Sequence, residues 1–482
     1  MMSKDNEAVL KPSLLLKRNF PFEPTSGQMA FFEKMDLFFK NENLKNPTFL
    51  LRGYAGTGKT SLISALVKTL PRLKLKSLLL APTGRAAKVM GNYSNKSAFT
   101  IHKIIYKPKG EIGDLGQGFI LQKNYYKETL FIVDESSMLA DEAIGGRSLL
   151  RDLINFVFQE SSNRLLMVGD TAQLPPVGSS ESPALDKDYL IVHFRLQVEG
   201  IELTEVMRQQ LSSGILYNAT LLRRNMWLEN PQVQLVTKGF KDFFRMTGEK
   251  LEDGLRYAYQ KYGVESTIIV TRSNKSAVQY NQYIRQTIHF FEDEISAGDI
   301  LMIVKNNYTY MADSDRVSFL ANGDFAEVIK IRSFEEMYGL RFATLELRLI
   351  DYPEEPYFEA KVILDTLHSP HPSLTSEQYK ELYRQVSEDY ADVANKTERM
   401  ELIKKDSYLS ALQVKFSYAL TCHKAQGGQW DAVFVDQGYL TDEMINQDYL
   451  RWMYTAMTRA KKELFMVNFN QRFYINTIDL EN

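Results

Sequence analysis

The run Gly53-Tyr54-Ala55-Gly56-Thr57-Gly58-Lys59-Thr60 fits G-x-x-x-x-G-K-[ST], and its flanks restrict the fold more than any other stretch of the chain. Thr48 to Leu51 before it is apolar and strand-like, and Ser61 to Leu70 after it has helical spacing. Glycines placed where a strand turns into a helix make a loop whose backbone N–H groups, with the helix N-terminus, hold phosphate oxygens. Gly53, Ala55, Gly56, Thr57, Gly58, Lys59 and Thr60 are therefore candidate contacts to a nucleoside triphosphate. Lys59 would neutralise phosphate oxygens, and the Thr60 hydroxyl would coordinate Mg²⁺.

Further strand-like runs recur at Ser77–Leu80, Leu130–Val133 and Leu165–Val168, then at Thr267–Val270, Val414–Ala419, Ala432–Val435 and Leu464–Val467. Fully apolar strands separated by helical segments read as buried parallel sheets, and two such sets argue for two α/β domains. At 482 residues the chain is too long for one core, and length alone suggests about three or four domains. Two stretches break the pattern. Residues 91–128 are polar and aromatic with Pro108 and several glycines, as expected of a small hairpin-bearing insertion. From about Ser296 to Thr366 the turn signals Gly298-Asp299, Asn322-Gly323-Asp324 and Tyr352-Pro353 indicate short strands forming a β-barrel. Ser373 to Leu412 is then charged and helical in period, with Thr375 and Glu377-Gln378 as a helix start.

Composition excludes some partners. The formal net charge is −2, so any nucleic-acid site must be a local groove and not a global basic field. The single cysteine, Cys422, cannot form an intramolecular disulfide and suits a reducing compartment. Leu14 to Leu16 is too short for a signal-peptide core, and no apolar span reaches membrane length, so a cytoplasmic protein without a membrane partner is expected.

Two polar clusters follow strands, where open α/β sheets place their ligands. Asp134 and Glu135 directly follow Phe131-Ile132-Val133. Asp134 would hold Mg²⁺, directly or through water, and Glu135 would orient and deprotonate the attacking water. After Met167-Val168-Gly169, Gln173 is long enough to reach a γ-phosphate or its attacking water, and Pro175-Pro176 would transmit that contact along a stiff loop.

Taken in order, these elements resemble superfamily 1 helicases, and within them the 5′→3′ branch of RecD-like and Dda-like enzymes, from about Phe22 to Phe469. Phe22 to Gln28 is similar to the Q motif, which implies that Gln28 reads the adenine edge. Ala81 to Ala87 and Thr100-Ile101-His102 resemble segments contacting single-stranded DNA, which implicates Pro82, Thr83 and His102. Leu203 to Gln209 resembles the motif supplying Arg208 to the γ-phosphate, and Tyr454 to Ala460 the motif whose finger is Arg459. Tyr418 to Gly427 resembles the motif joining DNA backbone to nucleotide: Thr421, His423 and Lys424 toward DNA, Gln426 and Gly427 toward nucleotide.

The resemblance implies two RecA-like parallel-sheet motor domains, residues 1–90 with 129–200 and residues 201–295 with 413–482. A pin-bearing insertion would occupy 91–128, an SH3-like β-barrel 296–366 and a helical insertion 367–412. Lys59, Glu135, Gln173, Arg208 and Arg459 would be catalytic, with ATP and Mg²⁺ as cofactors in a cleft closed by arginines from the second domain. The implied activity is ATP-driven 5′→3′ movement of a monomer on single-stranded DNA, separating tailed duplexes with little sequence preference. An alternative is a motor subunit of a recombination or repair complex that does not unwind alone. Aromatics near Phe119 or at Tyr125-Tyr126 are candidate pin tips.

Overall fold

The computed structural model describes residues 11–41, 44–108, 119–141, 148–207, 212–311 and 319–475. The chain divides into two compact units, the first running from the amino-terminal helices to Ser212 and the second from Ser213 onward. Thr83–Arg85 and the strand residues Pro108, Phe119 and Ile120 group with the second unit.

The first unit is built on strands β1 (Pro47–Gly53), β2 (Lys76–Ala81), β3 (Ala98–Thr100), β6 (Thr129–Val133), β7 (Arg164–Gly169) and β8 (Gln197–Leu203), with β4 (Tyr106–Pro108) and β5 (Phe119–Leu121) as a separate two-stranded sheet. The main sheet has the order β3-β2-β6-β7-β1-β8 and is parallel throughout. Leu51, Leu79, Ile132 and Val168 face a core with Phe31, Phe32 and Leu66; Leu80, Val133 and Met167 face a second core with Ile101 and Leu153. Burial on both faces is why these strands read as unbroken apolar runs.

Strand β8 pairs with β1 from Pro47↔Gln197 to Gly53↔Leu203, so the first sheet extends past the boundary expected at residue 200. Its sequence, QVEGIEL, alternates because it lies at the sheet edge, and that hid it among the apolar runs.

In the second unit the parallel sheet is β16-β10-β17-β18-β9, from β9 (Phe243–Met246), β10 (Thr267–Thr271), β16 (Ala419–Thr421), β17 (Trp430–Asp436) and β18 (Ala460–Val467). Between β10 and β16, a closed barrel joins β11 (Ile300–Ile303), β12 (Phe325–Met337), β13 (Leu340–Leu349), β14 (Phe358–Ile363) and β15 (Leu412–Phe416). The two parallel sheets with their helices, and the inserted barrel, match the expected α/β class.

The barrel's last strand arrives only after the helical segment. Strand β15 closes it by pairing antiparallel with β11 (Leu301↔Phe416) and parallel with β14 (Val362↔Leu412). The expected run Val414–Ala419 is therefore two strands in two different sheets, and the boundary expected at 413 falls inside the barrel. Strands β12 and β13 turn at Tyr338-Gly339, whose φ values of 54° and 67° give the left-handed pair that a two-residue hairpin loop needs.

The helical segment forms Ser376–Asp389 and Lys396–Lys405. The first begins with a capping box, Thr375 accepting from Gln378 N while Gln378 Oε1 accepts from Thr375 N at 3.0 Å. Leu382 and Val386 join Leu340, Phe342 and Ile363 in one cluster, so the first of these helices is anchored on the barrel.

Candidate nucleotide and nucleic-acid sites

Because β6, β7 and β1 are neighbours, their carboxyl ends bring three loops together on one edge of the first sheet. From β1 comes the glycine loop. Gly56 and Gly58 have φ of 77° and 84°, and a Cβ on Gly58 would lie 2.6 Å from both Gln28 Nε2 and Met207 Sδ. Only glycine fits that close, left-handed approach. The helix Lys59–Thr69 starts at Gly58 with no side-chain cap, so its first amides keep their bonding capacity. Lys59 Nζ donates to the carbonyls of Gly53 and Tyr54, oxygens inside the loop itself. Thr60 is exposed, and buried Thr57 donates to Tyr54 O at 2.8 Å.

Gln28 is fully buried and its amide is committed at both ends: Nε2 donates to Thr57 O at 2.9 Å and Oε1 accepts from Thr25 N at 3.0 Å. Here it ties the start of helix Ser26–Lys40 to the phosphate loop and presents neither amide atom outward. Met207 N donates to Gly56 O at 3.0 Å, so the stretch leading toward Arg208 leaves from the first unit, not the second as expected. The β8 register carries it there. Arg208 itself lies outside the described residues.

From β6 come the two acids. Asp134 Oδ1 accepts from Glu135 N at 2.9 Å, and Asp134 Oδ2 accepts from the Tyr93 hydroxyl at 2.6 Å. Burial, then the Asp134 charge, holds the Tyr93 phenol well above its usual range, so Tyr93 is the donor. Glu135 has φ 52°, a left-handed conformation that costs a non-glycine residue about 1–2 kcal/mol. From β7 comes Gln173, 7% exposed, whose buried Oε1 has no hydrogen-bond partner among the described residues. An orphaned acceptor of this kind costs about 1–3 kcal/mol unless something fills it. Uncapped amides, a carboxylate pair and an orphaned amide oxygen fit a magnesium nucleotide.

The DNA candidates separate more widely. Pro82 and Thr83 are half-buried after β2, at the start of helix Gly84–Ser94. His102 lies in the helix Ile101–Ile105, its ring 5.5 Å from that of Tyr106, and burial lowers its pKa. Strands β4 and β5 pair in a two-stranded sheet within the expected insertion, and residues 109–118 and the Phe119 side chain lie outside the described set. Tyr126 packs edge-on against core Phe131 at 5.8 Å, while Tyr125 is 78% exposed. Both precede β6, at the sheet edge opposite the functional loops, which disfavours them as the pin.

In the second unit, Thr421 ends β16 and begins the short helix Cys422–Ala425. His423 is exposed and Lys424 half-buried, and burial pushes the Lys424 amine down to about 8. Lys415, which the sequence did not single out, is buried on β15 and also pushed down to about 8, by burial and then by Lys424. Gln426 is buried and Gly427 has φ 73°. Arg459 is 3% exposed and donates to Thr455 O, Gly428 O and Thr458 Oγ1 at 3.0–3.3 Å. Burial pushes the Cys422 thiol up to about 12, which removes it as a nucleophile.

Residues 39–179 match the AAA domain family model, and 416–467 match the UvrD-like helicase C-terminal domain. The ATP-dependent DNA helicase Dda of Enterobacteria phage T4 is 24% identical over 92% of this chain and 99% of its own length. The chain is thus similar to Dda-like and RecD-like DNA helicases. The ATP-dependent RecD2 DNA helicase of Deinococcus radiodurans is 32% identical over 174 residues, 35% of this chain and 21% of that protein. A Pif1 helicase from Bacteroides, solved with ADP-AlF3 and single-stranded DNA, shares the fold with TM-score 0.50 and 14% identity, over 95% of this chain and 96% of that one. Among the described residues, no helix is long and apolar enough to cross a membrane.

Proposed function

We propose that the chain is an ATP-dependent DNA helicase that moves 5′→3′ on single-stranded DNA and separates tailed duplexes. The observation that carries this reading is the shared edge of β1, β6 and β7, where the phosphate loop, the Asp134–Glu135 pair and the unpartnered Gln173 oxygen converge. The uncapped amides after Gly58 and the Lys59 amine bind the β- and γ-phosphates, the amine exchanging loop carbonyls for phosphate oxygens. Thr60 and Asp134 would hold Mg²⁺, which when bound neutralises charge on the transferring phosphoryl group. Glu135 takes the proton of the attacking water, and Gln173 Oε1 accepts from that water and orients it. Arg208 and Arg459 supply positive charge to the transition state.

Pro82, Thr83, His102, Thr421, His423 and Lys424 contact the strand through phosphates. Contacts of that kind carry no base information, so binding is sequence-tolerant and falls with salt. The test is ATP turnover with and without single-stranded DNA, followed by unwinding of 5′-tailed and 3′-tailed duplexes. Stimulated turnover with unwinding from the 5′ tail alone is expected. Unwinding from the 3′ tail alone would reverse the polarity, and turnover indifferent to DNA would refute the motor.

A further inference from the structure

The hydrogen bond from Tyr93 to Asp134 joins two parts of the proposed mechanism that lie far apart in sequence. Tyr93 sits in the last turn of the helix Gly84–Ser94. That helix begins immediately after Pro82–Thr83, the turn assigned to single-stranded DNA. Its buried stripe of Ala86, Ala87, Met90 and Ser94 follows helical spacing and holds it against the sheet. The Tyr93 ring packs on the core that includes Met90, Leu79 and Leu66, so the hydroxyl is aimed by packing and not by a flexible stem.

At its far end the hydroxyl reaches Asp134 Oδ2 at 2.6 Å. The other carboxylate oxygen is fixed by the backbone of Glu135, so Tyr93 is the side chain that sets the rotation of the carboxylate. An eleven-residue helix spans roughly 16 Å as one stiff element, so displacement at its first turn moves its last.

We infer that Tyr93 is a positioning residue that couples occupancy of the Pro82–Thr83 turn by a single strand to the orientation of the Asp134 carboxylate. The inference rests on the motor reading above. It assigns Tyr93 no contact with DNA or nucleotide. Its effect lies in the linkage between them, which is reciprocal: magnesium nucleotide must change DNA affinity by the same factor as DNA changes nucleotide affinity.

The experiment measures binding of a fluorescent oligo-dT to the full chain by anisotropy, alone, with a non-hydrolysable ATP analogue plus Mg²⁺, and with the analogue plus EDTA. Tyr93→Phe keeps the ring and removes only the hydroxyl. The expected result is oligo-dT affinity without nucleotide within about threefold of the parent chain. The factor by which the magnesium analogue changes that affinity should move about tenfold toward unity, the order for losing one bond to a charged group. With EDTA the two proteins should behave alike.

An unchanged linkage factor in Tyr93→Phe would overturn the inference. So would parallel losses in both affinities with a lowered melting temperature and intact linkage, since that is a packing role. A parent chain whose turnover ignores DNA would instead remove the motor reading, and this inference with it.

Discussion

The glycine-loop edge of the first unit and the buried cations of the second unit handle charge in opposite ways. In the first, bonding capacity is left open: amides without a cap, an orphaned Gln173 oxygen, a lysine bonded to its own loop. In the second, cations are sunk into protein. Arg459 is bonded to three oxygens of its own unit, and Lys415 and Lys424 have lost enough water to shift their amines down to about 8. The edge is built to receive a polyanion and water; the cations store positive charge whose hydration has already been removed. Desolvated cations interact more strongly with an arriving phosphate than solvated ones do, because less water must be displaced.

The largest test of this contrast is Arg459→Ala. Turnover should fall about 10³–10⁵-fold while nucleotide affinity changes far less, because the charge matters most at the transition state. Single-turnover hydrolysis beside nucleotide titration separates the two, and retained hydrolysis would reduce Arg459 to a structural tie of its own unit. Next, Glu135→Gln should lower turnover about 10²–10⁴-fold with nucleotide binding retained. Equal loss of binding would show that Glu135 shapes the loop and does not act on water.

Gln173→Leu sharpens the comparison from the stability side. It removes a buried oxygen that has no partner, so the melting temperature should hold or rise while hydrolysis drops. A clear loss of stability would mean that the oxygen is satisfied within the protein.

The smallest effect concerns pH. Lys415 and Lys424 are charged below about 8, so single-strand affinity should decline as pH rises through that value, and the salt dependence of binding should flatten. Folding responds with the other sign. The folded chain holds these protons less tightly than the unfolded chain, so stability from these lysines rises between about pH 8 and the ordinary lysine range. Denaturation and anisotropy across the same pH series check both slopes.

The parts of the molecule most legible in sequence are those where one local rule decides the structure. The glycine loop, the acids after β6 and Gln173 after β7 all follow fully apolar strands, which announce themselves because both faces are buried. Thr375 and Gln378 likewise marked a helix start that the structure builds as a capping box. Edge and seam elements were hidden. Strand β8 alternates because it has one partner, and β15 reads as part of the parallel sheet because its barrel partners are about 50 and 110 residues away in sequence. Gln28 shows a further limit: an amide offers a donor and an acceptor, but sequence does not reveal that both are spent on Thr57 and Thr25. Tyr93 carried no motif at all. Only the fold places its hydroxyl on Asp134.

The seam between β11 and β15 has a consequence for synthesis. A ribosome delivering this chain releases Ile300 long before Phe416, so the open edge of β11 waits through more than a hundred residues of translation. Closing so long a loop costs entropy and slows the step, and an exposed strand edge invites wrong partners meanwhile. The helix Ser376–Asp389, seated on the barrel through Leu382 and Val386, can cover apolar surface of the β12–β13 hairpin during that interval. Trimming that helix would then expose the nascent barrel to aggregation during translation.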